Sequence, residues 1–373
     1  MNEQQTDGNA DLGDVLKVIA CTVVMVQTVL GLAVHESLTT TQQTWVIGLN
    51  DLMKFSAPAF IFGILYTTAK TTTLTTFRGD YLPYLQTQWT KLIAPTIWWT
   101  AAYLLLMPGE QVHHHYHDLA SFNWQFISGN AAPHLWYSIM MLQFILLMPG
   151  WLGVGKWLDH RPQRWGFAAL LVVPVYVWWV ALYDVSVFNG PRAASWYLMD
   201  RLFISFVPYA LLGLFAWSHR ELVSKWLLRW WWVLIIVSGL TWWRMNVELK
   251  SYGVPINLDN APYLKPTTVL YAVTMIGLLS AVGNWLIAHG GWLNGKIHRL
   301  AQIAYRAFLG NVFWLNLLWW GTARLGWHTA LGLRMFVIVV CGWGLSFGVA
   351  ANGGRMSRWL ITKLNLKNDA KKR

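Results

Sequence analysis

Residues 15–34 read VLKVIACTVVMVQTVLGLAV, twenty positions in which Lys17 is the only charge and Gln27 the only carboxamide. A helix rises about 1.5 Å per residue, so such a run is as long as the roughly 30 Å hydrocarbon core of a bilayer is thick. The stretch before it, MNEQQTDGNADLGD, is polar and acidic and lacks a basic leading segment. The run is therefore expected to stay as a membrane anchor rather than be cleaved as a leader.

The same pattern recurs along the chain. Charged residues make up 12% of the 373 positions and hydrophobic ones 55%, with 27 tryptophans. A soluble domain carries about 25% charge, so an ordinary soluble enzyme, a disordered chain and a secreted disulfide scaffold are all excluded. Only two cysteines occur, Cys21 and Cys341, each inside an apolar run, and they read as small buried hydrophobes rather than a disulfide or metal motif.

Ten runs are long and apolar enough to span, at about 15–34, 45–68, 88–107, 134–152, 165–182, 199–218, 229–247, 266–288, 303–323 and 331–350. If the N-terminus is cytoplasmic, twenty of the 28 Lys and Arg fall on the inner side, seven at outer ends and Lys54 mid-span. This asymmetry is the positive-inside signature, and it predicts an even number of helices with both termini cytoplasmic. It also accounts for the +12 net charge without nucleic acid, since the cations sit in short clusters between spans rather than along one polar face. The expected organisation is an N-terminal tail over 1–14, an all-α polytopic bundle of about ten transmembrane helices over 15–350, and a basic tail over 351–373. No stretch between spans is long enough to hold a core of its own.

Polar side chains inside the spans are costly, about 2.5–3.5 kcal/mol for a charge, and so mark candidate sites. The second span carries Asn50, Asp51 and Lys54. With i,i+3 spacing, Asp51 and Lys54 share a helix face and can neutralise each other, as a packing ion pair or as part of a substrate or proton site. In the first span, Lys17 can snorkel to phosphates or lipid headgroups, and Gln27 can orient a reactant but cannot act as a general base near neutral pH. The tract His113-His114-His115-Tyr116-His117-Asp118 reads as a solvated outer loop with no defined ligand geometry, so no metal is assigned. His134 opens the fourth span in Pro133-His134-Leu135-Trp136-Tyr137, either as an interfacial side chain or as the imidazole best placed to reach a cavity.

The order of several fragments resembles the membrane acyltransferase 3 family over roughly residues 12–350. They are Leu16-Lys17-Val18-Ile19-Ala20-Cys21; Phe55-Ser56-Ala57-Pro58-Ala59-Phe60 followed by Gly63-Ile64-Leu65; Lys91-Leu92-Ile93-Ala94-Pro95; His134-Leu135-Trp136-Tyr137 with Pro149; and Pro208-Tyr209-Ala210-Leu211-Leu212-Gly213. The resemblance implies transfer of an acetyl or other short acyl group from a cytoplasmic acyl-CoA, acetyl-CoA above all, to a hydroxyl of a cell-surface polysaccharide or other envelope glycan. It also implies no bound cofactor, donor phosphates held by cations such as Lys17, Lys70, Arg78 and Lys91, and catalysis near Gln27, Thr28 and His134. The chain departs from the family where a first-helix histidine is usual, because that position holds Thr28. A second usual histidine is absent from Gly310-Asn311-Val312-Phe313-Trp314-Leu315-Asn316. A catalytically inactive relative serving polysaccharide export or scaffolding, and an unrelated transporter using Asp51 and Lys54, are the alternatives.

Overall fold

A computed structural model of the protein describes residues 9–72, 81–188, 190–253, 255–327 and 330–370, with the backbone alone from 354 onward. Arg78 and the side chains of the basic tail lie outside the described residues. Within them the chain is all-helical and contains no strand.

In chain order the α-helices are α1 (Leu12–Val34), α2 (Thr40–Leu52), α3 (Ser56–Thr71), α4 (Tyr81–Gln88), α5 (Ala94–Leu106), α6 (Leu119–Ser128), α7 (Trp136–Leu146) and α8 (Met148–Asp159). They continue as α9 (Gln163–Tyr183), α10 (Ala193–Trp196), α11 (Val207–Ser218), α12 (Arg220–Lys250), α13 (Pro266–His289), α14 (Trp292–Arg324) and α15 (Leu331–Ala370). Their ends follow local chemistry. Asp11 with Asp14, and Thr39 with Gln42, form reciprocal capping boxes at α1 and α2. Proline opens α5, α8, α11 and α13, where a missing N–H costs nothing.

Six helical stretches are long and apolar enough to cross a membrane, and two bent pairs raise the number to eight. The first bent pair, α7 with α8, turns by 60° just before Pro149. The second turns by 55° where the segment Ala193–Arg201 meets Phe203–Ser218. The difference from ten lies in two runs. The 88–107 run is broken by a π-turn at Trp89–Ile93, leaving only 13 residues in α5. The 303–323 run lies within the 33-residue α14, where Arg306, Asn311 and Asn316 interrupt the apolar sequence. The second expected span is likewise two helices, α2 and α3, joined by a turn over residues 53–55.

The centre of the bundle is α1, against which α3, α14 and α15 pack. Helix α1 crosses α3 closely because both carry glycine at the crossing. A Cβ on Gly63 would lie 2.8 Å from the Gly13 carbonyl oxygen, and one on Gly213 would lie 2.5 Å from the Phe62 carbonyl oxygen. Small residues admit such backbone approach where lipid offers no hydrophobic drive for helix association. Asn311 and Asn316 of α14 are fully buried, which accounts for a low-hydropathy helix inside an apolar bundle.

Candidate active site

The turn over residues 53–55 sets the site. The Lys54 N–H bonds the Asp51 carbonyl and the Ser56 N–H bonds the Met53 carbonyl, so α3 starts with Ser56, and Pro58 is accommodated in its first turn. Asp51 and Lys54 flank this turn within electrostatic reach of each other, although their side chains make no salt-bridge contact. Asp51 is fully buried, and neither carboxylate oxygen has a hydrogen-bond partner; the same holds for Nδ2 of Asn50. Asp51 lines a cavity of about 10 Å³, room for one water at most, together with Lys265 and Glu248. Those two form an ion pair at 2.7 Å.

Ser56, fully buried, donates its hydroxyl to Oε1 of Gln27 at 2.9 Å and lies 2.9 Å from the Tyr263 hydroxyl. With the serine proton on Gln27, Tyr263 is the donor to Ser56, and its proton also reaches Gln27 Oε1 at 3.3 Å, closing a three-membered node. The Lys54 ammonium, 8% exposed, sits 5.1 Å from the centroid of the Tyr263 ring. Burial raises the Tyr263 hydroxyl above its ordinary pKa, against the opposing bonds with Ser56 and Gln27, so it is a phenol at neutral pH. Gln27 and Tyr263 are half-buried, and Ser56 is fully covered.

Thr28 is not part of the node. Its hydroxyl bonds the Val24 carbonyl one turn back at 3.0 Å, a common fate of threonine within a helix.

His134 lies in a second buried cluster. Its Nε2 is 3.1 Å from the Leu309 carbonyl oxygen, so that nitrogen carries the proton and donates it, while Nδ1 is buried with no partner. The imidazole is held edge-on by Tyr103 and Phe308. Tyr103 donates to the same carbonyl at 3.0 Å and accepts the Phe313 N–H at 3.0 Å, inserting its hydroxyl into the backbone ladder of α14. Asn311, in that same turn, has neither amide atom satisfied.

Hydroxyls bridge the two clusters. Tyr137, whose ring packs on Phe60 and Phe308, has a buried hydroxyl without a partner, in electrostatic reach of Tyr305 and Tyr263. Tyr305 in turn lies 2.7 Å from Thr96. Thr96 already donates to Leu92, so Tyr305 is the donor. The interior thus holds a polar seam from Thr96 to Lys54, lined by groups that can bind hydroxyls and carbonyls and transfer protons, with no carboxylate in the central node.

The expected donor-binding residues lie elsewhere. Lys17 pairs with Asp14 at 2.8 Å, and Asp14 also accepts from Nδ1 of His298 at 2.7 Å. Ten residues separate Lys17 from Gln27, about 15 Å along α1, so this cluster stands near the opposite end of the helix. Lys91 is exposed on the π-turn before α5. Near the start of α1 a cleft of about 620 Å³ is lined by Lys70, Arg220 and Lys225 together with Asp11 and Glu221, with Tyr66 and Trp217 beside them and Lys70 paired with Asp11 at 3.5 Å; neither Lys17 nor Lys91 lines it.

Reading the sequence overlooked Tyr263, Tyr137 and the Asp14–His298 pair as site residues. Tyr263 lies between spans, where a search for polar residues in apolar runs does not look. His298 is 284 positions from Asp14, and neither residue's neighbourhood announces the other.

A family model described as an acyltransferase domain matches residues 14–353. No curated protein and no solved structure matches the chain.

Proposed function

Because the chain belongs to the acyltransferase 3 family, whose domain takes up nearly its whole length, we propose that it moves a short acyl group from a cytoplasmic acyl-CoA to a hydroxyl of an envelope glycan. The family match carries this reading, and the buried polar seam gives it a chemical setting. Desolvated hydroxyl and amide donors stabilise a developing oxyanion far better than solvated ones. The cleft with Lys70, Arg220 and Lys225, whose acidic neighbours are Asp11 and Glu221, offers cations and aromatic faces suited to a donor's phosphates and base, and joins Lys17 and Lys91 as a candidate donor-binding surface. Acetyl is the favoured group, since a seam filled by side chains favours a small acyl.

The reading includes ten crossings and cytoplasmic termini in a cell membrane. Helix α14, 33 residues and about 50 Å long, has ample length to span, and its Asn311 and Asn316 side chains are covered by protein rather than lipid. The run before α5 crosses as a kinked element.

The test is the O-acyl ester content of purified envelope polysaccharides in a deletion strain, with and without the restored wild-type protein. Esters are expected to fall on deletion and return on restoration. Unchanged ester content would overturn the proposal and favour a non-catalytic role in polysaccharide export.

A further inference from the structure

The family reading leaves open which group receives the acyl chain first, and neither Thr28 nor Gln27 can serve as a base. Thr28 is committed to its own helix, and Gln27 has no proton to exchange. His134 retains an unpartnered Nδ1, but its ring is enclosed by Tyr103 and Phe308. The Ser56 hydroxyl is different. It is hydrogen-bonded to a phenol, starts a 16-residue helix that no side chain caps, and has a buried cation two residues away, over the face of that phenol.

We propose that Ser56 is an acyl-carrying nucleophile, with Tyr263 as its proton relay, Gln27 as the residue that aims both hydroxyls, and Lys54 as the cation whose field eases release of the Tyr263 proton. The inference rests on the acyltransferase reading and adds a covalent intermediate to it.

In the first step the Ser56 oxygen bonds to the carbonyl carbon of an acyl thioester and the carbon–sulfur bond breaks. The serine proton passes to Tyr263, and the Tyr263 proton passes to the departing thiolate. The products are a serine ester and a free thiol. In the second step the acceptor hydroxyl attacks that ester and its proton goes to Tyr263. Tyr263 returns a proton to the Ser56 oxygen as it leaves, which restores the starting state and esterifies the acceptor. No redox partner or metal enters the balance.

Several features favour this role over a plain interhelical hydrogen bond. A neutral phenol shuttles protons without a net charge change, as two-way relay chemistry requires. Ser56 stands at the positive end of the α3 dipole, which favours negative charge developing on a carbonyl oxygen beside it. The buried Lys54 ammonium lies over the Tyr263 ring, with Asp51 and Asp259 in electrostatic reach, so its field falls on the phenol. Ser56 is covered while Tyr263 and Gln27 are half-buried, so acylation requires the node to open toward the substrate.

The experiment uses purified full-length protein in detergent, with acetyl-CoA as donor and no acceptor. Wild type is expected to release about one thiol per chain in a burst and gain one acetyl group, mapped by mass spectrometry to the peptide containing Ser56. Ser56→Ala should lose both signals by at least about 100-fold, and Tyr263→Phe should slow the burst by about 10²–10⁴-fold. Ser56→Cys keeps a nucleophile and should move the label to a thioester cleaved by neutral hydroxylamine, which separates lost chemistry from lost folding. A label on another residue, or ester restoration in cells without any burst, overturns the intermediate and leaves the acyltransferase reading standing. A wild type that neither releases thiol nor restores envelope esters overturns both.

Discussion

Lys54 shows how a single residue is constrained in this bundle. Its ammonium is buried over Tyr263 and makes no salt-bridge contact among the described residues, with Asp51 and Asp259 in electrostatic reach. Burying an unpaired cation is unfavourable, and a well-packed apolar residue of similar length avoids that cost. Lys54→Met is therefore expected to leave thermal stability in detergent unchanged or raised while lowering acyl transfer by at least about tenfold, with Lys54→Arg retaining most of the rate. Parallel melting and transfer assays check this; a variant that loses stability and activity together would assign Lys54 a structural role. Gln27 was legible as a side chain in need of partners, since a carboxamide in an apolar run cannot stay unsatisfied. That its partners are Ser56 and Tyr263 was not, because they lie 29 and 236 positions away.

At the scale of elements, the crossing of α1 over α3 holds the site together. It places Gln27 against Ser56 and depends on backbone contact at Gly13 and Gly63. A side chain at Gly63 meets a carbonyl oxygen, which cannot swing aside as a flexible side chain could. Gly63→Val should destabilise the protein by about 1–3 kcal/mol and lower activity with it, as overpacking does. Gly239→Ala, on a face of α12 with nothing within 4 Å, should be neutral or slightly stabilising. Thermal unfolding of both in one detergent gives the comparison, and equal midpoints would show that α1 and α3 can separate without penalty. The break between α2 and α3 was not visible in the sequence. The run 45–68 is apolar apart from Asn50, Asp51 and Lys54, and no glycine or proline falls at the turn itself. The bend at α8 did have a signal, in Pro149.

For the whole molecule, the distribution of lysine and arginine argues for cytoplasmic termini, and α12 makes this testable in one helix. Lys225 lies near its start and Ser251 just beyond its end, 26 positions apart and so about 39 Å along the axis. Ser251→Cys is expected to react with a membrane-impermeant maleimide in intact cells, and Lys225→Cys only after permeabilisation, with the unaltered protein as blank. The reverse pattern would invert the topology and place the basic cleft outside, where a cytoplasmic acyl-CoA cannot reach it.

Membrane class, helical content and the resemblance to acyltransferase 3 were all readable from local composition and short ordered fragments. Each depends on which residues are adjacent along the chain, as with the apolar run at 15–34 or the fragment around Ser56. Span count was less secure, because hydropathy treats every helix as lipid-facing, and α14 buries its asparagines against protein. The site belonged to the tertiary structure. Ser56, Gln27, Tyr263 and Lys54 come from α1, the break before α3 and the segment before α13, and hydrogen bonds over about 3 Å form only when those elements are docked. Periodicity fixes which face a residue occupies on its own helix; which neighbour that face meets is set by how the helices cross, and here that crossing follows from glycines whose role no local pattern reveals.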